Sequence, residues 1–116
     1  MESRGFFFGG LLATSLEAGL VPVRKKGKLP HDIIEETYSL EYGQDVLQIH
    51  KDAIQKGDKV LIHDDVLATG GTAKAVCNLV ERLGGEVVQC NFIMTLSFLN
   101  GIDKISKYPV KQVITY

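Results

Sequence analysis

The sequence predicts an α/β fold, a largely parallel twisted sheet with flanking helices. Three observations carry that expectation. Apolar, β-branched runs at 59–63 and 86–96 have the composition of strands buried on both faces of a parallel sheet. Between them, Ala73, Val76, Cys77, Val80 and Leu83 recur at helical spacing and Gly84-Gly85 supplies a stop. A Gly/Thr-rich turn joins the first strand to that helix, and strands alternating with helices imply parallel connections.

Taken in order, residues 9–18 carry Leu11, Leu12, Ser15 and Leu16 at helix-compatible spacing, with Gly19 as the stop. A short strand follows at 20–24. The stretch 30–37 is polar and has no clean period, so it reads as a mobile loop. At 46–51, Leu47 and Ile49 alternate with Gln48 and His50, which predicts a strand. Lys56-Gly57-Asp58 then turns the chain into the strand at 59–63, whose carboxyl end carries Asp64 and Asp65. After the helix and the strand at 86–96, a short helix is expected over 102–108. Pro109 breaks it before a last strand at 112–115.

With 116 residues, 45% hydrophobic and 23% charged, the chain suits one domain over 1–116 with a core of its own. A net charge of −1 argues against a dedicated nucleic-acid surface, because the basic cluster Arg24, Lys25, Lys26 and Lys28 is local. No leader-like opening and no apolar run of about 18 residues is present, so no membrane is expected and a cytoplasmic location is. Cys77 and Cys90 show neither metal-ligand spacing nor a disulfide framework and read as packed, reduced thiols. His31, His50 and His63 are scattered and form no ligand set.

The segment from Val60 to Ala73 carries the chemistry. Ligands of open α/β sheets bind at the carboxyl ends of strands, where Asp64 and Asp65 stand. The following helix N-terminus offers unpaired N–H groups and the positive end of the macrodipole. Glycines there let an anion approach the backbone, and Thr69 and Thr72 add hydroxyl donors. Carboxylates would repel a phosphate, so the two aspartates suit the sugar hydroxyls, from which they only accept hydrogen bonds. A sugar phosphate is the ligand this pattern predicts.

The same segment resembles the phosphoribosyl-diphosphate signature of type I phosphoribosyltransferases, two acidic residues before an Ala-Thr-Gly-Gly-Thr loop. Four further stretches resemble adenine phosphoribosyltransferases: Glu2-Ser3-Arg4-Gly5-Phe6, Arg24-Lys25-Lys26-Gly27-Lys28-Leu29-Pro30, Tyr38-Ser39-Leu40-Glu41-Tyr42-Gly43 and Ser97-Phe98-Leu99-Asn100-Gly101. The resemblance implies purine salvage: adenine and 5-phosphoribosyl 1-diphosphate give AMP and diphosphate. It also implies Mg²⁺ bound mainly through substrate diphosphate and ribose oxygens, and a homodimer.

By the same resemblance, Ala68, Thr69, Gly70, Gly71 and Thr72 cradle the 5′-phosphate, and Asp64 and Asp65 face the ribose. Arg4 belongs to a diphosphate-binding loop, and Arg24 and Lys28 reach a diphosphate site across a dimer interface. Glu41 and Tyr42 lie on a mobile catalytic loop that closes over the sugar, with Glu41 handling a proton at a purine nitrogen. Val66 lies either under the purine ring or simply in the core. In the family a substantial region precedes the Glu-Ser-Arg-Gly-Phe turn and supplies a strand and much of the adenine-recognising hood, whereas here Met1 stands directly before Glu2. The expectation is therefore a truncated chain with unpaired backbone and uncovered apolar surface beside that turn, and with base selection in doubt before phosphate binding. Two alternatives stay open: a non-catalytic module binding phosphoribosyl diphosphate or AMP, and a phosphoribosyltransferase-like purine regulator.

Overall fold

Two three-stranded sheets share one helix, and that helix begins at the predicted phosphate turn. The computed structural model describes residues 1, 3–30, 32–40 and 42–116. In chain order the elements are α1 (Phe6–Ser15), β1 (Arg24–Lys25), β2 (Ile33–Ser39), β3 (Gln44–His50), β4 (Lys59–Leu67), α2 (Gly71–Arg82), β5 (Glu86–Thr95) and β6 (Val110–Thr115). Strands β4, β5 and β6 form a parallel sheet in that order, as the fold class requires. Strands β1, β3 and β2 form a separate antiparallel sheet that the sequence reading did not anticipate.

The helix α2 packs against β2 and β3 on one side and β4 and β5 on the other. Its buried residues Ala73, Val76, Cys77, Leu79 and Val80 supply the centre of the core, which Leu47, Ile49, Ile62, Leu67, Phe92 and Ile105 complete. Burying a side chain the size of leucine or phenylalanine contributes about 1.5–3 kcal/mol, so this cluster anchors the start of α2 firmly. Cys77 and Cys90 face each other across the α2–β5 contact with Sγ atoms 3.8 Å apart, both fully buried and free. The contact with Cys90, and after it burial, push the Cys77 thiol up, which keeps it protonated.

Several boundaries differ from the sequence reading. The first helix starts at Phe6 and ends at Ser15, earlier than the predicted 9–18. Its stop is Glu17, which adopts φ 53°, with the Ala18 N–H bonded to the Ala13 carbonyl; the left-handed cap falls there and not at Gly19. The strand expected at 20–24 shrinks to Arg24–Lys25.

The largest correction is the stretch 30–37, read as a loop, most of which is β2. Ile34, Glu36 and Tyr38 face inward at period two, and the alternation is hidden because the middle residue is charged. Glu36 is satisfied from α2, accepting from Asn78 Nδ2 at 2.9 Å and pairing with Arg82 at 3.2 Å. The predicted helix at 102–108 is instead a tight 3₁₀ turn at Gly101–Ile105, which follows another at Ser97–Leu99.

An apolar cleft of about 520 Å³ runs between α1 and β4, lined among others by Phe6, Leu12, Leu20, Val60 and Ile62. Phe7, Phe8 and Leu11 of α1 are exposed and lie outside that lining.

Candidate active site

Strand β4 runs through both aspartates to Leu67, so Asp64 and Asp65 lie within it, and Val66 and Leu67 beyond them still pair with β5. Both line one cavity, but they differ in burial. Asp64 is buried and its Oδ1 accepts the Asp65 N–H at 2.9 Å. Burial pushes its carboxyl up to about 7, because a charge there would lose most of its water. Asp65 is more open, and its Oδ2 lies 2.9 Å from Arg4 Nε.

Gly5 explains how the turn before α1 fits over this strand. A methyl group at Gly5 would lie 2.7 Å from Asp64 Oδ1 and 2.6 Å from the Met1 carbonyl oxygen, so only glycine lets the backbone pass so close.

After Leu67 the chain turns through Ala68 and Thr69 to Gly70, whose φ of 84° is a conformation suited to glycine. Gly70 caps α2 with no side-chain hydrogen bond, which leaves the first-turn N–H groups open to an anion. A cavity of about 240 Å³ lies in front, lined by Arg4, Asp64, Asp65, Val66, Ala68, Thr69, Gly70 and Thr72. Eight residues predicted from sequence therefore meet in one cavity, and Gly71 adjoins it as the first residue of α2.

The cavity also takes in Lys25 and Tyr38, to which the sequence reading gave no role. Lys25 pairs with Asp45 at 3.5 Å. The Tyr38 ring lies against Gly71, 3.4 Å from where a β-carbon would stand there. Both lay within recognised stretches, Lys25 in the basic run and Tyr38 at the head of Tyr38-Ser39-Leu40-Glu41-Tyr42-Gly43, but only the fold brings them to the cavity.

Not every expected residue arrives. The Arg24 guanidinium sits over the Phe6 ring, 5.8 Å from its centroid, away from the cavity lining. Lys28 lies exposed in the turn after β1, and Tyr42 is exposed beyond β2. Glu41 lies outside the described residues. His63 takes no part: its Nδ1 is 3.0 Å from Asn91 Oδ1, and burial lowers its pKa.

A parallel sheet, an uncapped glycine turn at a helix start and paired carboxylates beside it define a binder of phosphorylated sugars. Residues 1–114 match the phosphoribosyl transferase domain, and the chain belongs to that family. Within it, the relatives are adenine phosphoribosyltransferases. The enzyme of that name from Flavobacterium johnsoniae is 70% identical over 99% of this chain, which covers 68% of the relative's length. The crystal structure of adenine phosphoribosyltransferase from Thermoanaerobacter pseudethanolicus superposes with a TM-score of 0.97 at 50% identity, covering 99% of this chain and 67% of that one. The Saccharomyces cerevisiae enzyme, complexed with an imino-altritol bisphosphate and adenine, superposes at 0.93 with 49% identity, covering 97% of this chain and 63% of that one.

Proposed function

We propose that the protein transfers the phosphoribosyl group of 5-phosphoribosyl 1-diphosphate to adenine, giving AMP and diphosphate in purine salvage. The observation that carries this reading is the cavity in which the Ala68–Thr72 turn and the Asp64–Asp65 pair face one space. The bond from adenine N9 to the anomeric carbon forms as the bond to the diphosphate oxygen breaks, and the N9 proton leaves. Positive charge grows on the sugar during that displacement, so carboxylates held beside the ribose favour it electrostatically.

In this reading the first-turn amides of α2, with Thr69 and Thr72, hold the 5′-phosphate. Asp64 and Asp65 accept from the ribose hydroxyls, Arg4 turns from Asp65 to the diphosphate, and Val66 borders the purine. Glu41 and Tyr42 close over the sugar and exclude water, and Glu41 handles the purine proton.

The cavity's donors also bear on Mg²⁺. Among the described residues no three His, Cys, Asp or Glu side chains group as a metal cage. Two neighbouring carboxylates suit an ion held chiefly by diphosphate and ribose oxygens and by water, with Asp64 and Asp65 facing it. When bound, such an ion supplies neutralising charge to the departing diphosphate.

The exposed apolar residues of α1 support a homodimer, since a helix apolar all round is ordinarily covered. Arg24 and Lys28 would then reach the neighbouring subunit's diphosphate site; full activity in a demonstrably monomeric form would overturn this. Among the described residues no helix is long and apolar enough to cross a membrane. A cytoplasmic location belongs to the same proposal.

The decisive experiment gives the purified 116-residue chain Mg²⁺, phosphoribosyl diphosphate and each of adenine, hypoxanthine, guanine and xanthine. AMP formed from adenine alone supports the proposal. Ligand-dependent thermal stabilisation with no nucleotide product would instead favour a non-catalytic binding module, and salt-sensitive DNA binding a regulator.

A further inference from the structure

The Ser97-Phe98-Leu99-Asn100-Gly101 segment marks the family in the sequence but has no role in the chemistry above. In the structure its glycine meets the phosphate turn backbone to backbone. A methyl group built on Gly101 would lie 3.0 Å from the Gly70 nitrogen and 3.1 Å from the Ala68 carbonyl carbon, and nearer still to the Ala68 oxygen. The relation is reciprocal. A methyl group on Gly70 would lie 3.1 Å from the Gly101 Cα and carbonyl carbon, and nearer still to its oxygen.

A flexible side chain could swing away from such a contact, but main chain cannot. The segment carrying Gly101 is itself fixed from both ends. The Leu96 N–H bonds the Leu67 carbonyl at 2.9 Å, and the Asn100 and Asp103 N–H groups close the two 3₁₀ turns at 3.1 Å each. Ile105 is then fully buried in the core. Asn100 takes φ 55° between the turns, which aims the buried Gly101 at the cradle.

We propose that Gly101 is a positioning residue for the 5′-phosphate site: its bare backbone is the stop against which the Ala68–Gly70 turn rests. It thereby sets how the N–H groups at the start of α2 are presented to the phosphate. This deepens the phosphoribosyl reading above and rests on it. The absence of a side chain at residue 101 is part of the binding site, although Gly101 does not line the cavity.

The test compares wild type, Gly101→Ala and, as a control, Gly10→Ala, where an added methyl meets nothing within 4 Å. Ribose 5-phosphate binding and steady-state kinetics are measured on each. A displacement of the turn by a fraction of an ångström in Gly101→Ala should weaken ribose 5-phosphate and raise KM for phosphoribosyl diphosphate by about tenfold or more. KM for adenine should hold within about twofold, and Gly10→Ala should match wild type. Unchanged ribose 5-phosphate affinity in Gly101→Ala, or equal losses toward both substrates, would overturn the proposal.

Should Gly101→Ala fail to fold, hydrogen exchange on wild type decides. Ribose 5-phosphate should raise amide protection at 100–101 together with 70–72, and protection confined to 70–72 would overturn the proposal. Failure of wild type to bind ribose 5-phosphate at all would sink the phosphoribosyl reading itself, a distinct result.

Discussion

Arg4 Nε stands 2.9 Å from Asp65 Oδ2 and ties the turn before α1 to the carboxyl-terminal half of β4. The arginine side chain is 77% exposed, so the pair is screened by water and releasing it costs little. In the proposed roles an arriving diphosphate takes the guanidinium while Asp65 turns to the sugar. Arg4→Ala should raise KM for phosphoribosyl diphosphate by about tenfold or more, the loss expected for a charge-assisted contact of roughly 1.5–3 kcal/mol. Affinity for ribose 5-phosphate, which lacks the diphosphate, should be nearly unchanged. Parallel calorimetric titrations of the two ligands check the split.

The second aspartate separates turnover from binding. In the proposed roles Asp65 favours the cationic sugar of the transition state, whereas the 5′-phosphate is held by α2. Asp65→Asn should therefore lower kcat by about a hundredfold while ribose 5-phosphate affinity changes by less than about threefold. Equal losses in both measurements would count against these roles.

Asp64 makes stability depend on pH in an unusual direction. Burial raises its carboxyl from the ordinary 3.8 to about 7, so between those values the folded chain keeps a proton that the unfolded chain releases. The contribution is present in full below the unfolded value and is lost as pH rises through the folded one. Urea midpoints should accordingly fall between about pH 4 and pH 7, and Asp64→Asn should flatten that slope. Ligand binding that calls on the ionised carboxylate should release a proton near neutral pH, read as a dependence of binding heat on buffer ionisation enthalpy.

The phosphate strand, its turn and α2 were legible because each rests on local rules. Apolar runs, glycines at a turn and helical spacing all act within a dozen residues, and Gly70 takes the positive φ that its turn requires. The strand β2 was not legible because its inward position 36 is a glutamate whose partners, Asn78 and Arg82, lie 42 and 46 residues away. Tyr38 stood in a recognised stretch, but its place in the cavity was hidden for the same reason, since it depends on β2 being a strand. Arg24 shows a different limit: the basic run drew attention to its charge, and within one chain the guanidinium rests over the Phe6 ring. Spacing along a chain identifies candidates for a site, and packing decides which side chains face it.

Gly5 tests how tightly the turn before α1 is fitted to the aspartate pair. Its Cα hydrogens occupy the space between Asp64 Oδ1 and the Met1 backbone, where an added methyl would fall 2.7 Å from the carboxylate oxygen and 3.1 Å from the Met1 nitrogen. Neither neighbour yields easily, because Met1 is held at the His63 carbonyl and Asp64 Oδ1 accepts the Asp65 N–H. Gly5→Ala should therefore destabilise the chain by about 1–3 kcal/mol, the range for forcing a methyl into a filled space, read from urea unfolding. The displaced turn carries Arg4 with it, so phosphoribosyl diphosphate should weaken more than ribose 5-phosphate in the fraction that folds. A second substitution, Asp64→Asn, leaves the crowding in place and should not rescue stability. Asp64→Gly removes the obstructing carboxyl and should recover part of the loss, which separates a steric cause from an electrostatic one.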